Sequence, residues 1–238
     1  MTESERKVFP FHSLSPTLQE VISSAAKLQE IVPDAILVGG SAAALYAGHR
    51  DSFDHDHVLQ DLAERYGIVM DAVEASEGWA TSVRASRPPF TVLGSLDGVE
   101  AGLRQLRRSR PLETVEFELE EGRSVAVPTL AEILRIKAYL VVQRNVVRDY
   151  LDVAALTDAI GVGGAAAILR EIDAYYLDRS EERGSVLTEL ILRLGAPRPR
   201  DPEVISQLAS YKGLVERWHD WREVESVCGD LAQELARA

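Results

Sequence analysis

Two aspartates two positions apart, Asp54 and Asp56 in the run Asp51-Ser52-Phe53-Asp54-His55-Asp56-His57-Val58-Leu59, are the residues here whose types and spacing best suit chemistry. In an extended segment alternate side chains share a face, so Asp54, Asp56 and Val58 point one way and Phe53, His55, His57 and Leu59 the other. Carboxylates this close repel each other unless a cation sits between them. An all-oxygen pair suits Mg²⁺, with phosphate oxygens completing the shell. His49, His55 and His57 invite zinc instead, but strand alternation turns His55 and His57 away from the two aspartates.

Upstream of this run, Ala35 to Val38 reads as a short buried strand, bounded by Pro33 and Gly39. Gly39-Gly40-Ser41 then turns the chain into a helix of small residues running from Ala42 to about Ala47. Glycines let a ligand approach the backbone, and the free N–H groups of a helix N-terminus attract phosphate. Alone, such a turn is equally a tight strand-to-helix connection. Followed by Asp54 and Asp56, it becomes half of a nucleotide and metal site. A dinucleotide fold would need further β-α-β units with a glycine fingerprint, and the sequence offers none.

The elements around this site follow from periodicity. Leu18, Val21, Ile22, Ala25, Leu28 and Ile31 mark one face of a helix over residues 14–32, with Ser15 to cap it and Pro16 in its first turn. Residues 62–66 finish another helix and 67–72 read as a strand. Residues 90–93 and 99–106 read as a hairpin joined by Gly94-Ser95-Leu96-Asp97-Gly98. The second hairpin strand carries Glu100, Gly102 and Arg104 on one face, and Arg104, Arg107, Arg108 and Arg110 form the densest basic cluster. Those arginines suit a triphosphate or a nucleic-acid backbone, or equally a solvated strand end. From Pro128, Thr129 and Glu132 form a capping box, and Ile133, Ile136, Leu140 and Val141 give an amphipathic helix with Lys137 at its boundary. Asp149 and Asp152, three apart, share a helical face. Beyond Leu156 the chain is helical pieces separated by Gly- and Pro-rich breaks.

With 38 acidic against 26 basic side chains, the net charge is −12, so a nucleic-acid partner must use a local basic patch. The single cysteine, Cys228, allows no internal disulfide and reads as a buried apolar residue. The N-terminal run Met1-Thr2-Glu3-Ser4-Glu5-Arg6-Lys7, leading to Pro10, lacks the apolar core of a signal peptide. No stretch reaches the roughly 18 to 20 apolar residues of a membrane span. The expectation is a cytoplasmic protein with no membrane partner.

Val38-Gly39-Gly40-Ser41-Ala42-Ala43-Ala44-Leu45, then Gly48-His49-Arg50, then Ser52-Phe53-Asp54-His55-Asp56 resemble the signature of the AbiEii/AbiGii-type nucleotidyltransferase toxins. These are a branch of the DNA polymerase β-like nucleotidyltransferase superfamily. The resemblance continues downstream, where Lys137-Ala138, Arg144, Asp149 and Asp152 stand at the family's Lys-Ala, Arg and Asp-x-x-Asp positions.

The resemblance implies an α/β (α+β) nucleotidyltransferase core with a mixed sheet over residues 1–127. A helical C-terminal region over 128–238 would pack over the active site. It implies Mg²⁺ held by Asp54 and Asp56, and a nucleoside triphosphate bound by Gly39, Gly40, Ser41, Arg50, Lys137 and Arg144. Asp149 would orient Lys137 or support the catalytic end. A third carboxylate is expected to act as base, for which Glu100 is the choice, with Glu116 and Glu118 as alternatives. The implied reaction moves a nucleoside monophosphate to a hydroxyl, with RNA (the tRNA 3′ end) as acceptor and a cognate antitoxin protein as partner. A protein acceptor, or a catalytically silent nucleotide-binding member, are the other readings.

Overall fold

The computed structural model describes residues 6–8, 11–119 and 122–237. Residues 1–5 and Pro10, part of the stretch considered above for a signal peptide, lie outside them. The chain divides into two compact units, Met1–Leu45 with Asp51–Thr129, and Tyr46–Arg50 with Leu130–Ala238. The fold is α/β, with a mixed sheet in the first unit and a helical second unit.

The first unit opens with β1 (Arg6–Val8). α1 (Pro16–Ile31) begins where the Ser15 hydroxyl accepts from the Leu18 N–H at 3.2 Å, and it buries Leu18, Val21, Ile22, Ala25 and Leu28. β2 (Ile36–Val38) leads directly into α2 (Gly39–Ala47), and β3 (Asp54–Leu59) follows. After α3 (Leu62–Glu74) come β4 (Trp79–Thr81), β5 (Thr91–Leu96) and β6 (Val99–Gln105). These five strands order as β2-β3-β6-β5-β4, with β3 and β6 parallel and the other pairs antiparallel. A second sheet joins β1 to β7 (Thr114–Glu118) and β8 (Ser124–Pro128). Leu59, Ala101 and Leu103 from the large sheet pack with Leu28, Val32, Leu62, Val69, Val73, Val92 and Leu96 in one core.

Two expected elements differ. Residues 67–72 are not a strand but the middle of α3, because Leu62, Val69 and Val73 fall on one helical face and are buried in that core. The β-branched Ile68-Val69 pair favours a strand locally, and packing overrides it. The hairpin is tighter than expected, since β5 continues through Gly94 and Ser95 and turns only at Asp97-Gly98. Gly94 is there for closeness: a Cβ on it would lie 2.6 Å from the Ala80 carbonyl oxygen and 2.7 Å from the Trp79 ring.

The second unit contains α4 (Leu130–Gln143), α5 (Val147–Ile160), α6 (Val162–Leu169), α7 (Ile172–Tyr175), α8 (Leu177–Arg183), α9 (Val186–Gly195) and α10 (Trp221–Ala236). Ile133, Leu134, Val141, Tyr150, Leu151, Leu190, Leu194, Val224, Cys228 and Leu231 fill its core. Among the described residues no single helix is long and apolar enough to cross a membrane, although α5 and α6, bent at 116°, together pass by length and composition.

Candidate active site

The alternation read from the sequence appears in β3 as burial: His55, His57 and Leu59 are buried, whereas Asp54, Asp56 and Val58 are half-buried on the other face. The parallel partner β6 sets Glu100 beside Asp54, Gly102 beside Asp56 and Arg104 beside Val58. Directly paired residues of adjacent strands share a face, so Glu100 and Arg104 stand on the carboxylate side. Asp54, Asp56, Glu100, Gly102 and Arg104 line a cleft of about 220 Å³, together with Ser82, Ala85 and Leu93. Glu116 and Glu118 sit instead on β7 of the other sheet.

Asp56 lies between two glycines from different elements. A Cβ on Gly102 would come within 2.5 Å of Asp56 Oδ1, and one on Gly39 within 3.6 Å of Asp56 Cβ. Gly39 also has φ +79°, a conformation L side chains rarely adopt. Oδ1 of Asp56 accepts from Arg104 Nε at 3.1 Å. The Ser52 hydroxyl donates to Asp54 Oδ1 at 3.2 Å, and the Ser41 hydroxyl donates to the Asp54 carbonyl oxygen at 2.6 Å. Ser41 therefore ties the helix start to the strand, and what it leaves for a ligand is backbone N–H. The helix itself begins at Gly39, two residues before Ser41.

Among the described residues no three His, Cys, Asp or Glu side chains converge as a metal site. Asp54 and Asp56 fit Mg²⁺ all the same, since that ion commonly takes one or two protein carboxylates and fills its shell with phosphate and water. The missing Cβ at Gly102 gives the Asp56 carboxylate room to turn within the cleft.

The second unit holds a buried ionic network. Asp152, fully buried on α5, meets His49 Nε2 at 2.8 Å, Arg50 Nε at 2.9 Å and Lys137 Nζ at 2.6 Å. Burial alone would raise the Asp152 carboxyl, but Arg50, Lys137 and His49 hold it well below the usual range. Burial lowers Lys137 from its ordinary value against the opposing pull of Asp152. Asp149 is paired with Arg144 at 3.0 Å and 2.5 Å, and burial nonetheless pushes its carboxyl up. Arg50 and Lys137 are thus engaged with Asp152, at 6% and 2% exposure. That Asp149 and Asp152 share a helical face is legible in the sequence, and that Asp152 is the hub is not.

The arginine cluster separates by role. Arg104 reaches Asp56, whereas Arg108 is buried and donates to the carbonyl oxygens of Arg110 and Pro111 at 2.8 and 3.1 Å. Arg110 pairs with Glu113 at 3.5 Å.

No protein-family model matches the chain. It is 33% identical over 228 residues to the heme uptake protein MmpL11 of Mycobacterium tuberculosis, a match covering 92% of this chain and 23% of that protein. The chain therefore spans about a quarter of that relative's length. Among solved structures, JHP933 from Helicobacter pylori has a TM-score of 0.50 at 17% identity, covering 94% of each chain. That likeness shows a shared fold. A candidate nucleotidyltransferase from H. pylori has a TM-score of 0.49 at 15% identity, covering 94% of this chain and 96% of that one.

Proposed function

We propose that this chain is a Mg²⁺-dependent nucleotidyltransferase that moves a nucleoside monophosphate from a nucleoside triphosphate to a hydroxyl acceptor. The observation that carries the reading is the cleft in which Asp54, Asp56 and Glu100 from two parallel strands face the same space, with Gly39 at the start of α2 against Asp56. Asp54 and Asp56 hold the ion. When bound, Mg²⁺ draws charge from the phosphate oxygens. The backbone N–H groups of Gly40 and Ser41 bind the polyphosphate. Glu100 takes the proton of the attacking hydroxyl.

Lys137 and Arg50 are each committed to Asp152, which supports a positioning role: they secure the segment that lies in sequence between Ser41 and Asp54. Asp149 fixes Arg144, the more exposed cation, which the AbiEii/AbiGii resemblance assigns to the nucleotide. The finer reading rests on the AbiEii/AbiGii resemblance: a cytoplasmic toxin acting on the tRNA 3′ end and neutralised by a cognate antitoxin. Heme uptake is named for the mycobacterial relative, a much longer protein of which the match covers 23%.

The test incubates the protein with each labelled triphosphate, Mg²⁺ and total RNA, alongside Asp56→Ala. Label should enter RNA, and the variant should lose about 10²- to 10³-fold in rate. Label on protein alone would move the acceptor assignment to protein, and no transfer to any macromolecule would end the transferase reading.

A further inference from the structure

Arg104 is the arginine that lines the cleft beside Asp54, Asp56 and Glu100. It lies two residues beyond Gly102 on β6, opposite Val58, and its side chain reaches back so that Nε donates to Asp56 Oδ1 at 3.1 Å. The absent side chain at Gly102 opens this path, because Asp56 Oδ1 occupies the space where a Cβ would be. Both partners line the same cleft as Asp54 and Glu100. Neither is locked by burial: the Arg104 side chain is 45% exposed and that of Asp56 is 33% exposed. An exposed pair of this kind contributes little stability, so a divalent ion can displace it at small cost. A guanidinium released within the cleft is a bidentate donor suited to phosphate oxygens.

We propose that Arg104 is a surrogate cation for Asp56, displaced when a divalent ion binds and then available to the polyphosphate that arrives with it. The arrangement would couple the two ligands. The ion frees the arginine, and the arginine adds affinity only for an anion that enters the cleft with the ion. This inference rests on the metal-site reading of Asp54 and Asp56, and the experiment separates the failure of one from the failure of the other.

The test titrates Mn²⁺ alone into the wild type, Arg104→Gln, Arg107→Gln and Asp56→Ala, following free Mn²⁺ by its electron paramagnetic resonance, and then measures by titration calorimetry the binding of inorganic tripolyphosphate, added as its preformed Mn²⁺ complex, to each protein. Arg104→Gln should bind Mn²⁺ alone about two- to fivefold more tightly, the range expected for removing an exposed competing ion pair. It should bind tripolyphosphate in the presence of Mn²⁺ more weakly than the wild type. Arg107→Gln, which removes the same charge elsewhere, controls for the general field. In the wild type, the ¹H–¹⁵N resonance of Arg104 Nε should shift on addition of Mg²⁺ alone. Unchanged or weaker Mn²⁺ binding in Arg104→Gln, an equal gain in Arg107→Gln, or undiminished tripolyphosphate binding overturns the surrogate role while leaving the metal site intact. Mn²⁺ binding that Asp56→Ala does not reduce overturns both.

Discussion

Asp56 depends on what its neighbours lack. Gly102 flanks it from β6 and leaves space that a methyl group would contest, whereas Gly39 at the start of α2 matters for its φ of +79°, which L side chains rarely adopt. Gly102→Ala would place Cβ 2.5 Å from Asp56 Oδ1 and 3.0 Å from Leu93 Cδ2, so the carboxylate must swing away. Because the group displaced is the end of a half-exposed side chain, we expect a stability loss of no more than about 1–2 kcal/mol. Transfer activity and Mn²⁺ affinity should fall about tenfold or more, since a metal ligand out of place costs far more in function than in folding. Activity and Mn²⁺ binding equal to the wild type would show that Asp56 does not act from its position over Gly102. Asp152 presents the opposite balance. It is fully buried and neutralises Lys137 and Arg50, both also buried. Asp152→Asn keeps the shape but leaves two cations with a neutral amide, and breaking a buried pair in this way costs about 3–5 kcal/mol. Urea unfolding should report that loss; a change below about 1 kcal/mol would mean that the network carries little of the fold.

At the scale of elements, the β3 alternation and the α1 face were legible because each follows one strict period, two or three-to-four residues. The strand expected at 67–72 was not, since Gly67 disfavours a helix interior and the Ile68-Val69 pair suits a strand locally, while Leu62, Val69 and Val73 reveal a helix only once the sheet they cover is known. Asp54 and Asp56 could be read as a pair, yet Gly102 acquired meaning only from its register against Asp56. The periodic run from Pro128 to Asp152 likewise hid a corner. α4 ends before Arg144, and Asn145 turns the chain with φ +54°. Its side chain accepts from the Tyr150 hydroxyl at 2.6 Å and donates to the Arg198 carbonyl oxygen at 2.7 Å. Asn145→Ala should therefore lose both bonds and adopt a strained backbone, costing about 2–4 kcal/mol in urea unfolding. Asn145→Gly loses the same bonds without the strain and should fall between that variant and the wild type. Equal stability of the two variants would remove the backbone contribution.

For the molecule as a whole, the charge state of its buried histidines sets an acid limit on stability. His55 and His57 lie behind the carboxylates, with their rings 5.2 Å apart and His55 Nε2 within 3.0 Å of the Ser24 hydroxyl. Burial lowers His55 to about 4, against the attraction of Asp54, and lowers His57 well below its ordinary value, with His55 adding to the effect and the Ala25 backbone opposing it. Both rings are neutral in the folded chain at pH 7, whereas in the unfolded chain each takes up a proton near pH ~6.5. The unfolded state binds more protons as pH falls from about 6.5 towards 4, so stability present above that range is lost across it. His55 alone should remove about 2 kcal/mol by pH 5. Asp152 contributes little there, because its carboxyl stays ionised well below the usual range, and Asp149, raised by burial, partly offsets the loss. Urea unfolding at pH 7 and pH 5 should thus show a clear fall, and His55→Gln should lessen its steepness even if the variant is less stable throughout. A stability that is flat between these two values, or a variant that keeps the full slope, would mean that the histidines are solvated enough to protonate within the fold.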